Sequence, residues 1–302
     1  MKHWLTFPMT AHPFNPELVG PTAIGRFARS AEAAGFDGLG FTDHPAPSHK
    51  WLMAGGHDAL DPFVALSFVA AATERLRLIP NIVVLPYRNP FIVAKAAATL
   101  DVLSGGRFVL SVATGYLRSE YRALGVDFDR RNDLFDEAIA VLKGVWSDDE
   151  FAYEGNGFTA SAVSANPKPS SVPIWIGGNS ALTRRRVAAV ADGWNPFPAP
   201  AALARTSRTV PLESLDDLAP MLDHLWREVD GQDRDPSTID VTFSTGLAGP
   251  GNPGFDAGAQ LEALEGMASL GVTWNGTGVP SDSLDHAIEA MEQYGEEVIA
   301  QA

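Results

Sequence analysis

Short apolar, β-branched runs alternate with longer segments of helical period along this whole chain, and that alternation constrains the fold more than any other feature. It is the βα pattern of a parallel sheet. Residues 3–9 form the first predicted strand, followed by a helix over 17–34 that closes at Gly35. A second strand follows at 36–42. Asp61-Pro62 opens the next helix, with an acceptor side chain before a proline at the first helical position. The third strand covers 76–85, and Pro80 within it marks a bulge. A helix over 90–103 ends at Gly105-Gly106, and the fourth strand covers 108–113. A helix over 133–146 leads into 149–168, where Tyr153, Phe158 and the central Glu154-Gly155-Asn156-Gly157 predict an antiparallel hairpin. Strands at 173–176, 193–197, 239–244 and 272–275 and helices at 180–191, 215–228, 260–270 and 283–300 complete eight units.

Eight units in 302 residues give about 38 residues each, more than a ~250-residue (β/α)8 barrel needs, which leaves room for the hairpin and for long loops. The rival is a doubly wound open sheet. No Gly-x-Gly-x-x-Gly follows the first strand, where a dinucleotide fold would place it. The expectation is therefore an α/β protein, a (β/α)8 barrel with a hairpin insertion before strand 5, forming one domain over 1–302. The stretch 196–211 reads as a single loop rather than a linker.

Charge narrows the partners. With 22 Lys plus Arg against 37 Asp plus Glu, the net charge is −15, which argues against nucleic acid and anionic membrane surfaces and favours small organic molecules. The 45% hydrophobic content is that of a chain with a sizeable core. The absence of Cys excludes disulfides, a thiolate nucleophile and Cys-ligated metal centres. The first nine residues read as a strand rather than a signal peptide, and no window approaches the ~20 apolar residues of a membrane span, so a cytoplasmic location is expected.

In a barrel, function gathers in the loops after the strand C-termini. Strand 2 ends in Thr42-Asp43-His44-Pro45, which reads either as an acid and an imidazole at the mouth or as an Asp turn before proline. His44, His49 and His57 share that loop without a His-x-His or His-x-x-x-His pair, so no metal site is expected. A glycosidase pair such as Asp43 and Glu120 has nothing to fix its separation. Strand 4 ends in Ala113-Thr114-Gly115-Tyr116, where glycine admits a ligand to the backbone or simply makes a turn. Strand 5 ends in Gly177-Gly178-Asn179-Ser180 and opens a helix carrying Arg184-Arg185-Arg186. Glycine amides and the positive end of a helix make a phosphate seat, whereas the arginine run reads as a solvated face with Arg184 near the first turn. Trp51, Met53, Tyr116 and Phe197 read as apolar pocket walls or as packing.

Taken together these loops resemble the bacterial luciferase-like family of flavin- and deazaflavin-dependent oxidoreductases. The resemblance rests on Leu85-Pro86-Tyr87-Arg88-Asn89-Pro90, on the segment from Ala94 to Arg107, on Pro173-Ile174-Trp175-Ile176-Gly177-Gly178-Asn179-Ser180, and on Ala191-Asp192-Gly193-Trp194, in that order. It implies an insertion-bearing barrel, commonly dimeric, with an isoalloxazine-type ring in its mouth. Asp43 and His44 match the pair beside the ring, His44 as proton donor or acceptor and Asp43 as a ring contact or the group that orients the imidazole. Asn81-Ile82 falls where many members have a non-proline cis peptide under one ring face. Thr114 and Gly115 match the strand 4 region that contacts the cofactor, and Gly177, Gly178, Asn179 and Ser180 match the cofactor phosphate loop. Sugar-phosphate dehydrogenases of the deazaflavin branch carry a Glu where this chain has Tyr116, which leaves Tyr116 as a hydrogen-bond or proton donor or as packing. The implied activity is hydride transfer between coenzyme F420 and a small organic substrate in a homodimer. Its alternative is an FMN-dependent monooxygenase supplied by a separate reductase, with a non-catalytic flavin-binding barrel and a metal-dependent hydrolase as further options.

Overall fold

The computed structural model describes residues 1–20 and 22–301. Parallel strands β1 (Lys2–Thr6), β2 (Gly38–Gly40), β3 (Arg77–Leu78), β4 (Val83–Val84) and β5 (Leu110–Ala113) come first. An antiparallel hairpin of β6 (Phe151–Glu154) and β7 (Thr159–Val163) follows. Then come β8 (Ile174–Gly177), β9 (Gly193–Asn195), β10 (Asp240–Phe243) and β11 (Trp274–Thr277). The parallel strands are ordered β3-β2-β1-β11-β10-β9-β8-β5-β4. The two ends of that order, β3 and β4, are halves of one interrupted strand. The Leu78 amide donates to Arg107 and the Val109 amide to Leu78, at 3.1 and 3.0 Å, so the ring closes. Eight barrel strands result, the third broken as Pro80 foretold, with a cis peptide at Asn81-Ile82 between its halves.

Eight helices pack outside: α1 (Ala23–Ala33), α3 (Pro62–Ala72), α4 (Pro90–Ser104), α6 (Arg131–Ser147), α7 (Ala181–Val190), α9 (Leu215–Asp230), α10 (Ala257–Ser269) and α11 (Leu284–Glu297). Three short ones, α2 (His49–Leu52), α5 (Arg118–Ala123) and α8 (Ala201–Ser207), lie in the loops after β2, β5 and β9. The expected single loop over 196–211 thus contains a helix. Local chemistry sets the ends. Asp61 accepts from the Phe63 and Val64 amides ahead of Pro62, and Asn89 accepts from Phe91 ahead of Pro90. The helix expected over 17–34 is shorter. A 3-10 turn over Pro16–Val19 precedes α1, because Gly20, followed by a proline, is extended at φ −63° and ψ 159°. The hairpin stands where expected, its turn held by Glu137 of α6, which accepts from the amides of Asn156, Gly157 and Phe158.

The barrel interior has two layers. Trp4, Ile79, Val109, Trp175 and Trp274 fill the lower one. Gly193 makes room for Trp175, whose Cδ1 would lie 2.2 Å from a Cβ placed there. Above them, Asn81 donates to Thr6, and Asn195 donates to Asn81 and Ser111 and accepts from Thr242 at 2.6 Å. This polar layer ties five barrel strands together under the mouth. On the outside, Val64 and Phe68 of α3 and Ile92, Val102 and Leu103 of the adjacent α4 are exposed, Leu103 by 74%. No described helix is long and apolar enough to cross a membrane.

Candidate active site

A cavity of about 860 Å³ opens at the C-terminal ends of the strands, a size suited to a cofactor with a small substrate. Its lining includes His44, Asn81, Ile82, Thr114, Gly115 and Tyr116 together with Gly177, Gly178, Asn179 and Ser180. The structure thus gathers the residues singled out from the sequence, Asp43 included, around one space, but it gives several of them different partners from those expected.

Asp43 is buried and fully engaged. Arg88 donates to both of its oxygens, at 2.6 and 2.8 Å, and the Val84 amide donates at 2.9 Å. It anchors the end of strand 2 to the broken third strand and has no bond to His44. The motif 85–90 becomes legible as chemistry here: Tyr87 reaches Glu120, Arg88 holds Asp43, Asn89 caps α4, and Pro90 starts it.

The group that orients His44 is Glu120 of α5. Its carboxylate is completely buried, and Oε2 lies 3.1 Å from Nδ1 of His44. The Tyr87 hydroxyl donates to the same oxygen at 3.0 Å, and the Ala46 amide donates to Oε1 at 3.2 Å. Burial, and then the Glu120 charge, raise the Tyr87 hydroxyl far above the usual phenol value, so it remains a donor. With Glu120 serving as acceptor throughout, Nδ1 of His44 carries the shared proton and Nε2 is the free ring nitrogen. The pairing escapes sequence reading because Glu120 is 76 residues from His44 and only the α5 turn brings it inward.

Rings surround the imidazole. Trp51 of α2 lies 4.5 Å from His44 between ring centroids, His57 5.0 Å and Tyr116 6.5 Å. His57 donates Nδ1–H to the Asp58 carbonyl, and burial, reinforced by neighbouring His44, lowers its basicity. Burial and the Glu120 charge raise the Tyr116 hydroxyl, which keeps it protonated. Tyr116 and Phe197 are cavity walls; Trp51 backs His44 instead, and Met53, 68% exposed, is not a wall. His49 is exposed. Among the described residues no three His, Cys, Asp or Glu side chains are grouped as a metal site would need.

At the ends of the adjacent strands β8 and β5, Gly178 has φ +118°, a conformation that favours glycine, and Gly115 has φ +66° with Val84 Cγ1 2.5 Å from where a Cβ would stand. Both let a ligand reach the backbone. Ser180 caps α7 by accepting from the Thr183 amide at 3.0 Å, and the helix's first amides point outward as at any helix start. Asn179 is a staple between loops: its amide nitrogen donates to Phe197 and Val210, and its oxygen accepts from the Phe197 amide. Its side chain is spent, leaving its backbone for a ligand. Arg184 is buried and donates to the Asn179 carbonyl at 2.8 Å, while Arg186 pairs with Asp136. Arg184 therefore braces the loop and Arg186 ties α7 to α6, so the expected solvated face holds for Arg185 alone. The arginines that do line the cavity, Arg131 and Arg208, were not foreseen; Arg131 opens α6 and Arg208 closes α8, neither within a local motif.

The chain is 31% identical over 174 residues to the FMNH2-dependent dimethylsulfone monooxygenase of Pseudomonas putida, covering 55% of this chain and 46% of that one. It is 30% identical over 196 residues to the F420-dependent glucose-6-phosphate dehydrogenase of Microbacterium testaceum, covering 63% and 57%. The alignments span about half the length of these curated relatives. Among solved structures, the monooxygenase RslO1 from Streptomyces bottropensis superposes with a TM-score of 0.80 at 17% identity, over 100% of this chain and 99% of that one, and so shares the fold. A cavity of about 860 Å³ at the mouth of a closed barrel, a glycine loop at the start of α7, and a match over residues 5–248 agree: this chain belongs to the luciferase-like monooxygenase family.

Proposed function

We propose that this chain is an oxidoreductase that moves a hydride between bound coenzyme F420 and a small organic substrate, with His44 exchanging the accompanying proton. The observation that carries this reading is the His44–Glu120 pair: a buried carboxylate fixes Nδ1–H and leaves Nε2 free in a cavity that also holds a glycine loop. The cradle fits the cofactor. Gly178, Ser180 and Thr183 with the start of α7 would hold its phosphate, and Asn81, Ile82, Thr114 and Gly115 would border its ring. Bound there, the deazaflavin supplies the hydride chemistry.

The chain's own residues manage the proton. When a substrate alcohol is oxidised, Nε2 of His44 takes the hydroxyl proton, and the Glu120 carboxylate stabilises the imidazolium that forms. In the reverse direction the same nitrogen returns it. Tyr116, protonated and at the cavity wall, donates a hydrogen bond to the substrate oxygen. Trp51 shields the outer side of the imidazole from water.

Parallel equilibrium titrations with F420 and FMN, each oxidised and reduced, test the cofactor. Selective binding of F420 is expected. Selective binding of reduced FMN would replace this reading with that of a monooxygenase fed by a separate reductase, and redox-inert binding would point to a non-catalytic barrel. We also propose a homodimer in which a second copy covers the exposed apolar side chains of α3 and α4, because large apolar groups on adjacent helices are costly to leave in water. Light scattering should find a dimer, and Phe68→Asp with Leu103→Asp should yield a folded monomer.

A further inference from the structure

Among the described residues, three charged side chains line the cavity: Asp43, Arg131 and Arg208. Asp43 is neutralised by Arg88. Among the described residues, neither Arg131 nor Arg208 has a carboxylate within 4.0 Å, as Arg88 has in Asp43. A chain of net charge −15 thus leaves two guanidinium groups uncompensated in its principal cavity. With Asp43 closed on Arg88, the wall holds two unpaired guanidinium groups and no unpaired carboxylate, a positive charge that a ligand anion would complete.

The two arginines share one ring. Arg131 Cζ lies 4.1 Å and Arg208 Cζ 5.5 Å from the Phe128 centroid. Arg118 also stacks there, at 4.0 Å, but it bonds Asp129 and is absent from the cavity wall. Arg131, the first residue of α6, spends one nitrogen on the Phe128 carbonyl at 3.0 Å. Arg208 ends α8 in the left-handed region at φ +56°, which is uncommon for a residue with a side chain. Its loop is tied to the glycine loop, because Asn179 donates to the Val210 carbonyl at 2.8 Å. The arginines therefore continue the wall of the phosphate seat.

We propose that Arg131 and Arg208 form a second anion subsite beyond that seat, and that its ligand is a carboxylate-bearing extension of the cofactor's phosphate tail. This rests on the F420 reading, since F420 continues past its phosphate into a lactyl-oligoglutamate chain and FMN ends at the phosphate. Guanidinium forks match carboxylates in two-point geometry, and two of them on one ring suit a chain bearing several.

The test is equilibrium binding of F420, of its glutamate-free phospholactyl form, of the deazaflavin alcohol FO, which lacks phosphate and tail alike, and of FMN, to the wild-type protein and to Arg131→Gln, Arg208→Gln, the double variant and Arg208→Lys. The double variant should bind F420 at least tenfold more weakly and FO as before, with Arg208→Lys recovering part of the loss. Unchanged F420 affinity would overturn the subsite, as would an equal loss for the glutamate-free form, which would put the arginines on the phosphate, or an equal loss for FO, which would make them wall packing. If the wild-type protein binds FMN and not F420, the cofactor reading and the tail assignment fall together. If F420 binds and the variants are silent, the subsite alone falls.

Discussion

The cluster around His44 and the wall formed by Phe128 and the glycine loop border one cavity, yet they treat charge in opposite ways. On the first side every charge is closed within the chain: Asp43 on Arg88, and Glu120 on His44, Tyr87 and Ala46. On the second, side chains that looked like ligands are bound to protein, and two arginines are left open. The difference teaches what each side is built for. Groups that act on a proton need fixed tautomers and fixed positions before the substrate arrives. A seat for an anion works best when its positive charge is completed by the ligand itself.

The largest effect should come from the acting group. His44→Ala should lower turnover by ~10²- to 10⁴-fold, the range of a lost general acid–base, while cofactor affinity stays within twofold. Saturating-substrate kinetics beside a cofactor titration read both, and equal turnover in the variant would remove His44 from the mechanism.

Asp43→Asn separates anchor from orienter. It leaves Arg88 without its main partner, and breaking a buried pair from one side costs about 3 kcal/mol. The urea midpoint should fall accordingly. The Nδ1–H tautomer of His44, read by ¹⁵N chemical shifts, should not change, because Asp43 does not touch that ring. A tautomer change with unaltered stability would return the orienting role to Asp43.

Glu120→Gln should do the converse, with a smaller loss. Turnover drops about tenfold or more while the substrate KM holds, since an amide can satisfy some of the three donors but does not stabilise an imidazolium. The His44 spectrum should then show a mixed tautomer population. A single retained tautomer would confine Glu120 to a structural role.

The eight βα units were legible because each strand and helix announces itself by periodicity and by caps such as Asp61-Pro62 and Asn89-Pro90, which act within a few residues. The hairpin was legible for the same reason. Partnerships across the mouth were not. Asp43 adjoins His44 in sequence, yet neighbouring residues leave the end of a strand on opposite sides, so its carboxylate turns to Arg88 while His44 turns to Glu120 on a distant loop. Asn179 and Arg184 sit in a loop motif with the composition of a phosphate site, but their side chains are consumed in holding that loop. Arg131 and Arg208 carry no motif, and only their common approach to Phe128 marks them.

The smallest effect is the one that sharpens the contrast most directly. Charges closed within the chain at contact distance are poorly screened, whereas a charge awaiting an anion from solution meets salt before its ligand arrives. Raising ionic strength should therefore weaken F420 binding several-fold at most, and that dependence should flatten in the Arg131→Gln/Arg208→Gln double variant. Under cofactor and substrate saturation, turnover should hold steady over the same salt range, because Glu120 is wholly buried beneath His44. If turnover fell with salt as affinity did, the proton-handling side would be as open as the anion side, and the division of labour between them would not stand.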